Sequence, residues 1–501
     1  MNQKLLFARV YEEEASKLIS KECRPAFHLS PYVGWMNDPN GFSFYRGQYH
    51  LFYQYNPYDT EWDSMHWGHA VSKDLLHWEY LPATMAPDED YDSYGCFSGS
   101  AVELDDGRQL LMYTGIRKDG RTNGDEIQTQ CVAVGDGLNY VKSDLNPVID
   151  GRDLPAGMTC HDFRDPKIWR EKDGSFRCIV GACDENRIGS LLLYSSPDGL
   201  HWKYENIFAQ NDGSFGLMWE CPDIFMLDGH AVLNVSPQDM LPEGYEYHNG
   251  NGTVCLIGEL DEERKHFTYH HNQTLDYGID FYAAQTLKLE DGRRIMIGWM
   301  QNWDTCQLNG RVKRPWFGQM SLPREISIQN GRLYQQPLRE LQQYRRNKVE
   351  YHHVKVNGEV NLPGIEGRCV ELEITLRPAD PGNMYQKFAV RFAKNEIYRT
   401  SLSFRPLESV VKIDRKFSGS RRAVIHQRRC LVPESHGELK MHLILDRFSA
   451  EAFLNDGSQV MTATLFTDLS AREISFFSIG EAEMDVVKYD LCLEDDNNER
   501  L

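Results

Sequence analysis

The sequence predicts an all-β chain: a five-bladed β-propeller followed by a β-sandwich, with a short N-terminal helical extension. Two interleaved repeats and a change of character near residue 335 predict it. Strand–turn–strand patterns centre on Gly47, Gly107, Gly174, Gly229 and Gly292, so the repeating unit is about sixty residues long. A second element keeps the same beat, with strand-and-turn patterns ending in an aromatic at Trp78, Tyr140 and Trp202. A large sandwich with coincidental turns would not give two independent elements one period, and blades that repeat a hairpin plus a further strand do.

The elements follow in order. Residues 1–25 read as a helical extension, with Leu5, Leu6, Val10 and Leu18 as its apolar positions. Residues 26–334 hold the five blades. Residues 335–349 contain QQPLRELQQYRR, whose helix-forming composition predicts a linker helix. From 350 to 492, runs such as CVELEITL, FAVRFA and KMHLILDRFSAEAFLND predict short strands of an antiparallel sandwich, and 493–501 form an acidic tail.

Composition narrows the function. A chain of 501 residues and 58.0 kDa can bury more than one core. Its net charge of -20 and pI near 5.3 argue against nucleic acid as a partner and are indifferent to a neutral sugar. The N-terminus, with Glu12, Glu13 and Glu14, lacks the pattern of a secretory signal, and no apolar run is long enough for a membrane span. Twelve scattered cysteines then suit reduced thiols in a cytoplasmic enzyme. Cys178 and Cys183 have no second pair at zinc-ligand spacing, so neither metal nor cofactor is expected.

Three strand heads carry an acid beside a proline: Asp38 in WMNDPNG, Asp165 in FRDP and Glu220 in WECPD. They read as one structural position in three copies of the unit. The innermost strand of every blade lines the central channel, so the three carboxylates should meet in one axial pocket. Two carboxyl groups can supply a nucleophile and a general acid for glycosidic cleavage, and a third can bind sugar hydroxyls. Trp35, Trp62, Trp67, Phe97, Tyr282 and Trp303 offer apolar faces to a sugar ring, and Asn37, Gln54, Ser98 and Arg164 offer directed hydrogen bonds.

In their order, WMNDPNG, FYQYNP, WGHAVSKDLLHW, FSGSAV, FRDP, WECPD, DYGIDFYAAQ and GWMQNW resemble glycoside hydrolase family 32, the invertases, sucrose-6-phosphate hydrolases and fructan exo-hydrolases. LILDRFSAEAFLNDG resembles that family's sandwich signature, so the likeness covers nearly the whole chain. The resemblance implies Asp38 as the nucleophile toward a β-fructofuranosyl unit, Glu220 as general acid and then base, and Asp165 as transition-state stabiliser. It also implies a fructose pocket of Asn37, Gln54, Trp62, Phe97, Ser98, Tyr282 and Trp303.

These roles make physical demands. Asp38 must be ionised, whereas Glu220 needs crowding to hold a proton near neutrality, and Arg164 can keep Asp165 ionised. Retention would place the carboxyl groups of Asp38 and Glu220 about 5 to 5.5 Å apart.

Substrate identity rests on the segment after Trp303. Arg311, Lys313 and Arg314 form a basic cluster that could hold a phosphate, but the solvated-loop reading is preferred, which leaves sucrose or short fructo-oligosaccharides as substrates. The rivals are a propeller that binds fructosides without cleaving them and a five-bladed arabinan-cleaving enzyme. Glu451, in the sandwich signature, is given no catalytic role. The sandwich either braces the propeller or makes a homo-oligomer contact.

Overall fold

A computed structural model describes residues 2–120, 126–306, 314–419 and 425–493. Arg311, Lys313 and the tail from Glu494 lie outside the described residues. Five four-stranded antiparallel units form the blades, each opening with its innermost strand: Gly34–Tyr45, Gly95–Glu103, Met158–Arg170, Trp219–Leu227 and Tyr282–Lys288. A two-residue strand, Trp316–Phe317, returns to pair in parallel with Gly34 and Trp35 and joins blade 5 to blade 1.

The sandwich is one ten-stranded sheet folded over a shared strand. Glu473–Leu491 is 19 residues long; its first half pairs with Lys387–Lys394 and its second half with Val370–Pro378, so it passes from one layer to the other. Its core is a single cluster that includes Leu372, Phe388, Phe404, Leu443 and Phe476.

Three expectations are corrected. The segment 335–349 is not an α-helix: it divides among the end of strand Arg332–Pro337, a six-residue 3-10 helix, Arg339–Tyr344, and the start of strand Arg345–Val360. The N-terminal helix, Gln3–Ser16, buries Leu5, Ala8 and Glu12, while Leu6, Val10 and Leu18 are exposed. Its docking is polar, because Glu12 accepts from the Ala83 amide at 2.7 Å and Arg9 donates to the Ala83 carbonyl at 2.8 Å. The tail placed from 493 does not include Leu493, which is buried in the same cluster as Leu491. No helix among the described residues is long and apolar enough to cross a membrane.

The two bodies meet through buried charges. His28 lies 2.8 Å from Asp446 and 2.9 Å from Glu451, and Arg324 binds Glu451 and Asp276 with all three side chains fully buried. The DYGIDF segment adds backbone pairing, with the amides of Tyr277 and Ile279 donating to the carbonyls of Val460 and Thr462 on the sandwich. Gly278 is required there, since a Cβ would stand 2.0 Å from the Thr462 nitrogen.

Candidate active site

Every inner strand carries an extra residue at its head. Across Arg164 to Lys167 the partner strand advances only from Gly181 to Ile179, and the same slip occurs from Glu220 to Asp223 and from Tyr282 to Gln285. Blades 1 and 2 slip between Met36 and Pro39 and between Phe97 and Gly99. Such bulges bend a strand and re-aim its side chains. Asp165, Cys221 and Ala283 accordingly adopt φ of 65°, 49° and 54°.

The bulges correct the equivalence of the three acids. Aligned on the following proline, Asp38 and Asp165 share a position with Cys221; by strand register Glu220 stands level with Arg164 and Tyr282, one residue before Cys221 and Asp165. Two belts therefore ring the channel. In the first, Glu220 receives Arg164 Nε on Oε1 at 3.0 Å and lies 2.7 Å from the Tyr282 hydroxyl through Oε2. In the second, Cys221 bridges the aspartates: its amide donates to Asp165 Oδ2 at 2.9 Å, and its Sγ lies 3.4 Å from Asp38 Oδ2 and 3.6 Å from Asp165 Oδ2.

Asp38 and Asp165 are buried. Ser98 donates to Asp38 Oδ2 at 2.7 Å, and Asp38 Oδ1 is buried without a hydrogen bond among the described residues. Burial, and next the charge of Glu220, push the Asp38 carboxyl up to about 6 against the hydrogen bonds of Ser98, Asn37 and Cys221. Burial and then Glu220 also push Asp165 upward, with Arg164 opposing. Crowding in the channel thus lifts both aspartates. Among the described residues Arg164 donates to Glu220, to Asp162 at 2.7 Å and to Gln128 at 3.4 Å but not to Asp165, which it steadies only through space.

The remaining expected residues divide by burial. Trp62, Phe97 and Trp303 are half-buried and meet edge to face, Trp62 lying 5.7 Å from Phe97 and 6.4 Å from Trp303. Asn37 accepts from Trp35 Nε1 at 2.7 Å, and Gln54 donates to the Cys96 carbonyl at 3.0 Å. Trp67 is not a ligand platform: fully buried between Phe52 and Tyr113, it donates to the Phe97 carbonyl. Trp35 is likewise wall, stacked on Phe317.

Sequence reasoning missed Cys221, although the shared proline of NDP, RDP and ECP places it beside the two aspartates. Further along the inner strand that carries Asp165, Lys167 places its ammonium 2.7 Å from buried Asp223, an ion pair between two blades. Of the basic residues read as a solvated loop only Arg314 is described, and it is packed rather than solvated: its guanidinium sits 3.9 Å from the Phe448 ring centre and donates to the Leu465 carbonyl.

A five-bladed propeller with facing carboxylates at its strand heads defines a glycoside hydrolase. The chain belongs to glycosyl hydrolases family 32: the family's N-terminal domain matches residues 28–337 and its C-terminal domain residues 340–491. It is 35% identical to a sucrose-6-phosphate hydrolase of Escherichia coli over 91% of each chain. It is 35% identical to a raffinose invertase of the same species, covering 95% of this chain and 97% of that one. Among solved structures, a Bombyx mori beta-fructofuranosidase superposes with a TM-score of 0.81 at 33% identity over 97% of each chain. A sucrose-6-phosphate hydrolase of Lactobacillus gasseri superposes at 0.83 with 27% identity, over 98% of this chain and 96% of that one.

Proposed function

We propose that this chain is a retaining β-fructofuranosidase that releases terminal non-reducing β-D-fructofuranosyl units from sucrose and short fructo-oligosaccharides. The observation that carries the reading is the approach of the three carboxylates, Cys221 touching both Asp38 and Asp165 while the charge of Glu220 acts on each.

Asp38 attacks the anomeric carbon through its carboxylate, whose Oδ2 is fixed by the Ser98 hydroxyl. Glu220 protonates the leaving oxygen and then takes a proton from water. Tyr282 can follow both states of Glu220 with its single proton. Its oxygen lies 2.7 Å from Glu220 Oε2 and 3.0 Å from the Ser236 carbonyl, so it donates to the carboxylate and, turned to Ser236, accepts from the acid. Asp165, held by the Cys221 amide, binds fructose hydroxyls and offsets positive charge on the ring. Asn37, Gln54, Trp62, Phe97, Ser98, Arg164 and Trp303 complete the pocket.

A second reading, hydrolysis of sucrose 6-phosphate, is favoured by the names of the curated relatives. Arg314 does not support it, being engaged with aromatic rings. The test is kcat/KM for sucrose, sucrose 6-phosphate and 1-kestose side by side. Preference for sucrose or kestose supports the first reading, strong preference for the phosphorylated sugar replaces it with the second, and no turnover of any fructoside overturns both.

A further inference from the structure

A second cavity lies behind the loop that carries Trp62. It has a volume of about 390 Å³, within the range of roughly 300–1,000 Å³ usual for small-molecule sites, and is walled by the N-terminal helix on one side and residues 58–66 on the other. Trp62 turns its ring to Phe97 and Trp303, whereas Tyr58 and Ser64 of the same loop, and His66 at the head of the strand that follows, line this cavity.

Its chemistry is that of a neutral polyol site. Phe7 is 62% exposed, and its ring is fixed against Tyr58 at 5.7 Å, with Tyr11 packed edge-on to Tyr58 at 5.2 Å. Phe7 and Tyr58 thus offer apolar faces to sugar C–H groups, with Tyr11 packed behind Tyr58. His66 is buried, and burial pushes it down to about 4, so its ring is neutral near pH 7. Its Nδ1 lies 2.5 Å from the Ser64 carbonyl and must carry the proton there, which leaves Nε2 as an acceptor. Gln3, Ser64 and Ser93 add groups that can both donate and accept. The one charged lining group, Lys4, is 2.7 Å from the Pro87 carbonyl, its ammonium occupied by the protein's own backbone.

We propose that this cleft is a second binding site for a neutral saccharide, distinct from the catalytic pocket and built on Phe7, Tyr58 and His66. The proposal does not depend on which fructoside the enzyme cleaves. Hydrogen–deuterium exchange on the Asp38→Asn chain, with and without sucrose or 1-kestose, tests it, because the helix peptide 3–16 supplies no residue to the catalytic pocket. Added sugar slows exchange in peptides 3–16 and 57–66 as well as in the inner strands. With Phe7→Ala added, helix protection needs up to about tenfold more sugar, while inner-strand protection keeps its midpoint. Helix exchange that ignores saturating sugar, or helix protection that Phe7→Ala leaves unchanged, overturns the second site. Loss of inner-strand protection alone would instead count against the catalytic pocket.

Discussion

Asp38 sits between opposing demands, since the burial that makes its oxygen reactive also resists its charge. Its carboxyl is raised from 3.8 to about 6, a difference worth roughly 3 kcal/mol. Because the folded value lies above the unfolded one, stability linked to this group is fully present below about pH 4 and lost as pH rises through about 6. Asp38→Asn is therefore expected to lower kcat by about 10⁴-fold or more while raising stability by up to roughly 3 kcal/mol at pH 7–8. The gain should disappear at pH 4. Denaturant unfolding at the two pH values beside a sucrose assay checks both halves. The same ionisation predicts that kcat/KM falls on the acid side with an apparent midpoint near 6, read from a pH–rate profile.

At the scale of the element, the inner-strand bulge is the device that builds the site. Ala283 has φ of 54° at the bulge that sets Tyr282 against Glu220. A β-branched side chain resists that conformation, so Ala283→Val should cost about 1–3 kcal/mol and lower kcat at least tenfold as Tyr282 shifts. Thermal unfolding and steady-state kinetics read the two effects, and a variant with unchanged kcat would show that the bulge does not aim Tyr282. Much of this was legible: the sixty-residue period gives the blades, and acid-proline pairs at strand heads give the carboxylates. The one-residue offset of Glu220 was legible too, had the motifs been aligned on proline rather than on the acid. Residue type alone did not separate Trp62 from Trp67, since both lie near the head of the same strand and differ only in how the blades pack around them; the family resemblance did.

Across the whole molecule, propeller and sandwich are joined by charges that neither could bury alone. Burial by itself would lower His28, but Asp446 and Glu451 outweigh it and push His28 up to about 9, while Asp446 is drawn down to about 2. The raised histidine contributes stability that is complete below about 6.5 and lost as pH rises through 9. The depressed aspartate contributes stability present above about 3.8 and lost as pH falls through 2. The clamp is thus fully engaged between about pH 4 and 6.5. His28→Ala should cost about 3 kcal/mol there, because it takes a shared cation from two buried carboxylates, of which Glu451 keeps Arg324 and Asp446 keeps backbone amides, and the loss should shrink toward pH 9. Urea unfolding at pH 6 and pH 9 measures this. Sequence patterning could not reveal the clamp, since Glu451 falls in an alternating strand like many solvated acids, and only the approach of blade 5 and the His28 segment buries it.

The central claim is a covalent fructosyl intermediate on Asp38, formed while Glu220 serves as acid and base. Intact-mass and peptide-mapping spectrometry of Glu220→Gln mixed with a fructoside bearing a good leaving group tests it most directly. The account predicts a chain heavier by one fructosyl residue, with the addition on the peptide containing Asp38. Release of product with inverted configuration, and no adduct at any time, would contradict it.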